Sequence, residues 1–426
     1  MLRRQFLRQA GGAMAMAATA SISAMAAPAR SWLALNQPAS KRISDTMTDQ
    51  AFTIRFHNDL RKDLRQRLAQ TRWSDAVTTD WLYGMNGSFL KDLVRYWYGA
   101  YDFDAAEKRL NALPLFRANI GGFGISYIHL KGRGANSKPL LLMNGWPSSF
   151  VEYGKLAPML ANPRAFGGTE DDAFDLVIPA LPGFGYSDRP TRPYQVNAED
   201  LFHALMTEHL GYTRYVASGT DIGAGVATRL ALKHPDSVMG IHISAVVDPP
   251  LTVASAPLSD GEKAYQASVS RWEAEEGAYE HLQTTRPQTL AFALADSPTG
   301  LASWIVEKYY FWSDHGHDLL QTFPLDMLID NLMIYWATGT IGSSMRYYYD
   351  SRHFRPKLQA GDHVSVPTAI CMWPKDLVTA PKSWAERFYN VQQYSHQKFG
   401  GHFPGWEAPI EYAEDLRQFV RGLRNL

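Results

Sequence analysis

The chain has 426 residues, which is enough for a large hydrophobic core and a second subdomain. Its 42 lysines and arginines balance 42 aspartates and glutamates, so the charge gives no reason to expect nucleic acid or an acidic polymer as partner. The single cysteine, Cys371, excludes an intramolecular disulfide, and its apolar neighbours predict a buried small side chain rather than a catalytic thiol.

The N-terminus has the features of an export signal over residues 1–29. A basic start containing Arg3-Arg4-Gln5-Phe6-Leu7 is followed by a mildly apolar run without acidic residues. This pattern favours the twin-arginine translocation machinery as a partner, with a general secretory signal as the alternative. We therefore expect an exported, periplasmic and soluble mature protein, with a flexible leader over residues 30–50.

Helical patterns dominate residues 51–135, before any parallel sheet begins. Apolar residues at helical spacing predict an N-terminal extension that packs against the core and leads into the first strands. The predicted elements are a short strand at 52–56 and helices at 58–71, 89–98 and 104–113.

Short apolar strands alternate with helices from residue 125 onward, and this alternation predicts an α/β fold with a mostly parallel sheet. The first part of the core is assigned to residues 136–250. The predicted strands are 125–129, 139–143, 174–178, 214–217 and 238–243. The predicted helices are 153–160, 199–210 and 224–233.

Long helical patterns interrupt the strands over residues 251–355. A helical insert in a parallel sheet predicts a lid over the site. Residues 356–426 then return to the core. The predicted lid helices are 262–279, 299–312 and 325–338, followed by strands at 366–372 and 390–394 and a closing helix at 411–423.

The stretch Gly219-Thr-Asp-Ile-Gly223 lies between a predicted strand and a predicted helix. In the nucleophile elbow of α/β hydrolases the corresponding pattern is Gly-x-Ser-x-Gly, in which a tight turn exposes the central side chain. Here the central residue is Asp221. A carboxylate nucleophile forms an alkyl ester, which changes the chemistry expected of the site.

A histidine and an acid should follow the nucleophile in the chain. His402, in Phe399-Gly-Gly-His-Phe403 after the last predicted strand, is the candidate base. Asp376 is the candidate acid that orients the imidazole, because it follows the penultimate strand. Asp248, after the strand at 238–243, remains the alternative acid.

Backbone N–H groups are needed to hold an oxyanion. One should come from Ile222, directly after Asp221. The other should come from the loop after the first core strand, where Gly145 and Pro147 shape the chain and Trp146 is the candidate donor.

These residues resemble the epoxide hydrolases of the α/β-hydrolase superfamily, of the microsomal and juvenile-hormone type with an N-terminal extension. The resemblance runs from about Phe52 to Val420. The stretches that carry it are Leu181-Pro-Gly-Phe-Gly-Tyr-Ser-Asp188 together with residues 60–73, 110–116, 296–302 and 374–402.

The resemblance implies that two lid tyrosines hold the epoxide oxygen. Tyr279 matches the first, and Tyr348 matches the second, with Tyr347 and Tyr349 as neighbouring alternatives. A phenol at a dry site can donate a hydrogen bond without being charged.

The sequence departs from the family at three places near the site. Asn144 stands where the family usually has histidine, Ile222 where it usually has tryptophan, and Pro404 where it usually has alanine. Trp146 and Ile222 act through backbone N–H groups, so these departures affect the shape of the pocket more than the triad.

The resemblance implies hydrolysis of an epoxide to a vicinal diol through an ester on Asp221, with no metal or organic cofactor. Two alternatives stay open: a haloalkane dehalogenase-like hydrolase, and a catalytically silent exported binding protein on the same fold. The resemblance implies a small apolar epoxide and water as the substrates.

Overall fold

The computed structural model describes residues 50–247 and 257–423. The predicted signal peptide, the leader up to residue 49 and the alternative acid Asp248 lie outside the described residues. Within the described residues, no helix has both the length and the apolar character needed to cross a bilayer.

A single mixed sheet forms the centre of the described chain, in the order β1-β2-β3-β5-β4-β6-β7-β8-β9. Neighbours from β1 to β5 pair antiparallel in this order, and all pairs from β5/β4 to β8/β9 are parallel. The strands are β1 (Gln50–Ala51), β2 (Leu115–Ile120), β3 (Phe123–Leu130), β4 (Lys138–Met143), β5 (Phe174–Pro179), β6 (Tyr215–Gly219), β7 (Val238–Ile243), β8 (Val364–Met372) and β9 (Tyr389–His396).

The N-terminal extension consists of α1 (Asn58–Ala69), α2 (Gly87–Gly99) and α3 (Phe103–Leu110). The side chains of Asn86 and Asp102 accept hydrogen bonds from the first free N–H groups of α2 and α3, which sets where these helices begin. The predicted strand at 52–56 is wrong. The N–H groups of Ile54 and Phe56 instead donate to the side chains of Asn111 (2.8 Å) and Glu107 (2.6 Å).

The first part of the core carries α4 (Leu156–Ala161), α5 (Ala198–Ala204) and α6 (Ile222–Lys233). A π-helical segment, Leu205–His209, continues α5. The predicted helix at 153–160 is divided into a 3-10 turn, Phe150–Tyr153, and α4.

The lid is entirely helical in its described part, in agreement with the predicted insert. Its helices are α7 (Asp260–Glu275), α8 (Ala278–Thr285), α9 (Pro287–Asp296), α10 (Pro298–Phe311), α11 (Leu319–Thr322), α12 (Leu325–Thr338) and α13 (Ile341–His353). The predicted continuous helix at 262–279 is wrong, because the chain breaks between α7 and α8 and thereby places Tyr279 in the first turn of a new helix.

The extension is bound to the lid as well as to the core. Arg109 on α3 forms an ion pair of 2.8 Å with the buried carboxylate of Asp330 on α12, and the hydroxyl of Tyr101 donates to the same carboxylate at 2.7 Å. Arg67 on α1 pairs with Asp296 at 2.7 Å.

The second part of the core carries the last helices of the described chain, which are α14 (Lys382–Ala385), α15 (Pro404–Glu407) and α16 (Pro409–Leu423).

Candidate active site

Asp221 lies at the tip of a tight turn between β6 and α6, with φ 50° and ψ −124°. A non-glycine residue rarely adopts this left-handed backbone, which is the strained geometry of a nucleophile elbow. The turn needs glycine at its flank, since a Cβ on Gly219 would come within 2.2 Å of the Gly223 carbonyl carbon. The side chain of Asp221 keeps 17% of its surface exposed, so it remains accessible in a buried setting.

One oxygen of the Asp221 carboxylate is held by the loop that follows β4. The Trp146 N–H donates to Oδ1 over 2.9 Å. A Cβ on Gly145 would lie only 1.8 Å from the same oxygen, so this approach requires glycine. Ile222 is the first residue of α6, where the helix cannot satisfy its own N–H groups and where negative charge is stabilised. Trp146 and Ile222 therefore lie where the predicted oxyanion donors should be.

His402 and Asp376 meet beside the elbow. Nδ1 of His402 lies 2.7 Å from Oδ1 of Asp376, and Nε2 lies 3.5 Å from Oδ2 of Asp221. The Asp376 contact fixes the ring, so that Nε2 faces Asp221 without a hydrogen bond to any described residue. The structure thus brings together the three residues predicted as nucleophile, base and acid.

The two carboxylates determine the protonation of His402. Burial disfavours the imidazolium, but the charge of Asp376 and the nearby Asp221 carboxylate outweigh it and raise the pKa of His402 to about 10. With Asp221 ionised, the imidazole is therefore protonated at neutral pH.

Two lid phenols lie together above this group. The rings of Tyr279 and Tyr348 are 6.1 Å apart, and both contact the Trp146 ring, at 5.4 Å and 6.2 Å. Burial raises the pKa of each phenol well above its ordinary value, and the charge of Asp221 raises it further. Both phenols are therefore neutral donors, and the Tyr348 hydroxyl is buried with no hydrogen-bond partner among the described residues.

The neighbouring tyrosines of α13 face away from this group. The hydroxyl of Tyr347 accepts from Arg355 at 2.6 Å, and Tyr349 packs on His353 with ring centres 4.3 Å apart. Both line a separate cavity of about 560 Å³ between the lid and residues 182–196. Successive residues of a helix point about 100° apart, so one tyrosine of the three, Tyr348, faces the elbow.

The sequence patterns do not single out two glutamates beside the three predicted residues, the buried Glu152 and the partly buried Glu407. Glu152 accepts from the Ser148 hydroxyl at 2.6 Å and from the Gly405 N–H at 3.3 Å, which connects the Trp146 loop to the turn after His402. Glu407 accepts the N–H groups of Asp314 and Phe403. Burial raises the pKa of Glu152 to about 7 and that of Glu407 to about 8. Their only sequence signal is a charge within a largely apolar stretch.

A second histidine, His242, lies in a buried polar cluster with Cys371 and Asp415. The side-chain atoms of these three residues that could ligate a metal ion all lie within 4.8 Å of one another. Each member already has partners: His242 bridges Ser218 (3.1 Å) and Asp415 (2.9 Å), and the Gln397 amide donates to the thiol. These contacts describe a hydrogen-bonded network that joins β6, β7 and β8 to α16. Cys371 is fully buried, and burial raises the pKa of its thiol, so the prediction of an inert side chain agrees with its setting.

A parallel sheet with a strained elbow, a backbone donor and a histidine–carboxylate pair defines an α/β hydrolase, and its nucleophile position carries an aspartate. Two family profiles match the chain. One is described as the epoxide hydrolase N terminus, over residues 49–153, and the other as the alpha/beta hydrolase fold, over residues 138–327.

Similar proteins point to the same family. A protein of Stigmatella aurantiaca (strain DW4/3-1), provisionally named an epoxide hydrolase, is 38% identical over 88% of this chain and 85% of its own. Epoxide hydrolase 1 of Sus scrofa is 31% identical over 87% of this chain and 88% of its own. The crystal structure of juvenile hormone epoxide hydrolase from Bombyx mori has a TM-score of 0.81 and 30% identity, and covers 89% of this chain and 96% of its own. The chain therefore belongs to the epoxide hydrolase family, and the predicted fold class and resemblance are confirmed.

Proposed function

We propose that this enzyme hydrolyses a small apolar epoxide to a vicinal diol through an ester on Asp221. The observation that carries the proposal is a carboxylate at the elbow tip below two neutral phenols, those of the buried Tyr279 and of Tyr348, whose hydroxyl is buried. A carboxylate can open a strained ring by attack at carbon, and phenols can donate to the oxygen that leaves that carbon.

In the first step, Oδ2 of Asp221 attacks an epoxide carbon while Trp146 holds Oδ1. A C–O bond of the ring breaks, and Tyr279 and Tyr348 donate hydrogen bonds to the developing alkoxide. The alkoxide takes up the His402 imidazolium proton through solvent water, which leaves the imidazole neutral. The product is a hydroxyalkyl ester of Asp221. Donors aimed at the position where charge develops are the largest source of stabilisation in such steps.

In the second step, His402 removes a proton from a water molecule that attacks the Asp221 carboxyl carbon. The N–H groups of Trp146 and Ile222 hold the oxyanion, the acyl C–O bond breaks as the leaving alkoxide takes the proton back from His402, and the diol leaves. The Asp221 carboxylic acid then gives its proton to His402, which restores the carboxylate and the imidazolium. Ester formation removes the negative charge of Asp221, which is one cause of the raised His402 pKa. The first step thereby lowers the pKa of His402 and prepares it to act as a base.

Replacement of the nucleophile tests this proposal. Asp221→Ala should abolish diol formation from styrene oxide, measured by mass spectrometry. Asp236→Ala, which removes an exposed carboxylate, should leave it unchanged. Diol formation by Asp221→Ala at the wild-type rate would show that the aspartate is not the nucleophile.

One observation favours dehalogenation as a second candidate. A halide needs N–H donors near the nucleophile, and the Trp146 indole N–H is buried without a hydrogen-bond acceptor among the described residues. Ile222 offers no indole beside Asp221, and the paired phenols match an epoxide oxygen better. Release of chloride or bromide from haloalkanes, with no diol from epoxides, would support the dehalogenase instead. An epoxide bound and recovered unchanged would support a silent binding protein.

We also propose export by the twin-arginine route, supported by Arg3-Arg4 and the apolar run without acidic residues. An Arg3→Lys/Arg4→Lys double variant should stop delivery of the protein to the periplasm, measured by cell fractionation. Unchanged delivery would indicate a general secretory signal.

A further inference from the structure

A buried lysine lies beside the first lid phenol. Lys308, on α10, keeps only 7% of its side chain exposed, and its Nζ lies over the rings of Tyr279 at 5.2 Å, Trp312 at 5.3 Å and Trp304 at 5.8 Å. A lysine is rarely buried unless it is paired. Its counter-ion is Glu307, whose Oε2 lies 2.6 Å from Nζ.

The Tyr279 ring is in contact with the rest of the site. It stacks on Trp146 with ring centres 5.4 Å apart and packs against Trp312, which in turn contacts His402 at 5.2 Å. Lys308 thus contacts the rest of the site through the Tyr279 ring. It can influence the reaction through this ring without touching the substrate.

Three carboxylates act on the phenol of Tyr279. Asp221, Glu280 and Asp376 each raise the pKa of its phenol and so weaken it as a donor. The Lys308 charge also acts on the carboxyl of Glu276: burial raises the pKa of this carboxyl, and the Lys308 charge lowers it. The ammonium over the face of the ring has the opposite sign to these three carboxylates.

We infer that Lys308 is a positioning residue that orients the Tyr279 phenol and strengthens it as a hydrogen-bond donor to the epoxide oxygen. A cation over an aromatic face is attracted to its π electrons, and this attraction grows as negative charge develops on the phenol oxygen. This negative charge develops in the transition state of ring opening, so the Lys308 cation stabilises the transition state more than the bound substrate. The inference rests on the proposed function.

A lysine that only fastens α10 to α8 within the lid would predict a different pattern of mutant effects, and a double-mutant cycle separates the two roles. Ester formation is measured directly by intact mass in a His402→Gln background, where hydrolysis of the ester is blocked. Lys308→Met and Lys308→Arg are introduced with Tyr279 intact, with Tyr279→Phe, and with Tyr348→Phe as the matched control.

With Tyr279 intact, Lys308→Met should slow ester formation roughly tenfold, whereas Lys308→Arg, which keeps the cation, should restore most of the rate. In the Tyr279→Phe background, Lys308→Met should cause no further loss, because the hydroxyl through which it acts is gone. In the Tyr348→Phe background, the roughly tenfold loss should persist.

The inference is overturned if Lys308→Met forms the ester at the parent rate, or if its loss is undiminished with Tyr279→Phe. Should Lys308→Met fail to fold, Lys308→Met/Glu307→Gln removes both charges and supplies the same comparison. No ester in the parent background would instead count against the proposed function, so the two failures are distinguishable.

Discussion

Nε2 of His402 lies 3.5 Å from Oδ2 of Asp221, close enough for charge coupling but without a hydrogen bond. The opposite nitrogen is held by Asp376 at 2.7 Å. The imidazole therefore presents one free nitrogen to the carboxylate that is proposed to carry the ester. This contact connects the pKa of His402 in the folded protein to the two proposed chemical steps, because loss of the Asp221 charge lowers that pKa.

The stability of the free enzyme should depend on pH through His402. Its pKa is raised to about 10 in the folded state, above the value of about 6.5 expected when unfolded. The stability that it contributes is therefore fully present below about pH 6.5 and is lost as pH rises towards 10. The melting temperature of wild type should fall more steeply than that of His402→Gln between pH 6.5 and 10.

The comparison with His402→Gln removes this group and keeps Glu152 and Glu407, whose raised pKa values also make stability fall with rising pH. The charge of His402 lowers the pKa of both glutamates, so the difference between the two proteins reports His402 together with its coupling to them. A difference in melting temperature that stays constant across this range would contradict the assigned protonation of His402.

Asp376→Asn should affect the second step more than the first. The amide cannot stabilise an imidazolium, so hydrolysis of the ester should slow by roughly 10³-fold, while ester formation changes much less. Rapid-quench mass spectrometry, which follows the free enzyme and the adduct over time, measures both rates. Equal losses in both steps would indicate that Asp376 serves only to hold the fold.

The three consecutive tyrosines of α13 should differ sharply. Tyr348→Phe should slow ester formation roughly 10- to 100-fold, because the buried hydroxyl aimed at the site is lost while Tyr279 still donates. Tyr347→Phe and Tyr349→Phe should retain nearly the wild-type rate, since both residues line the other cavity. A larger loss in either neighbour than in Tyr348→Phe would reassign the second donor.

The ion pair between the extension and the lid should support folding. Arg109→Leu leaves the buried Asp330 carboxylate without its cation, and we expect the free energy of unfolding to fall by about 3 kcal/mol. Arg95→Leu removes a pair with Asp92 in which both side chains are exposed, so it should change stability little. Urea denaturation measures the free energy of unfolding of both variants. An equal loss in both would show that the Arg109–Asp330 pair stabilises the fold no more than the exposed Arg95–Asp92 pair.

Local patterns were sufficient to select three residues that the structure brings together at the elbow. Gly219-Thr-Asp-Ile-Gly223 and the glycines before His402 are turn signals that act over a few residues, and the order of strands then brings Asp221, His402 and Asp376 to one sheet edge. The strand at 52–56 could not be excluded in this way. This segment is not a strand because its N–H groups donate to the side chains of Asn111 and Glu107, which are more than 50 residues away in the sequence.

Contacts between distant helices determined the rest of the site. Selecting Tyr348 from three tyrosines required the rotation of α13 about its axis, which no local pattern reports. Lys308 has the appearance of a solvent-exposed residue in the sequence, yet it is buried because α8 and α10 converge around it. Glu152 was missed for the same reason, since its partners Ser148 and Gly405 come together only in the folded chain.

Intact-protein mass spectrometry of His402→Gln after mixing with styrene oxide is the most direct test of an ester on Asp221. We expect a mass increase of one epoxide molecule, located on the peptide that contains Asp221 and absent from His402→Gln/Asp221→Ala. Diol formation by His402→Gln at the wild-type rate with no adduct would contradict it, because the oxygen would then come from water without an ester.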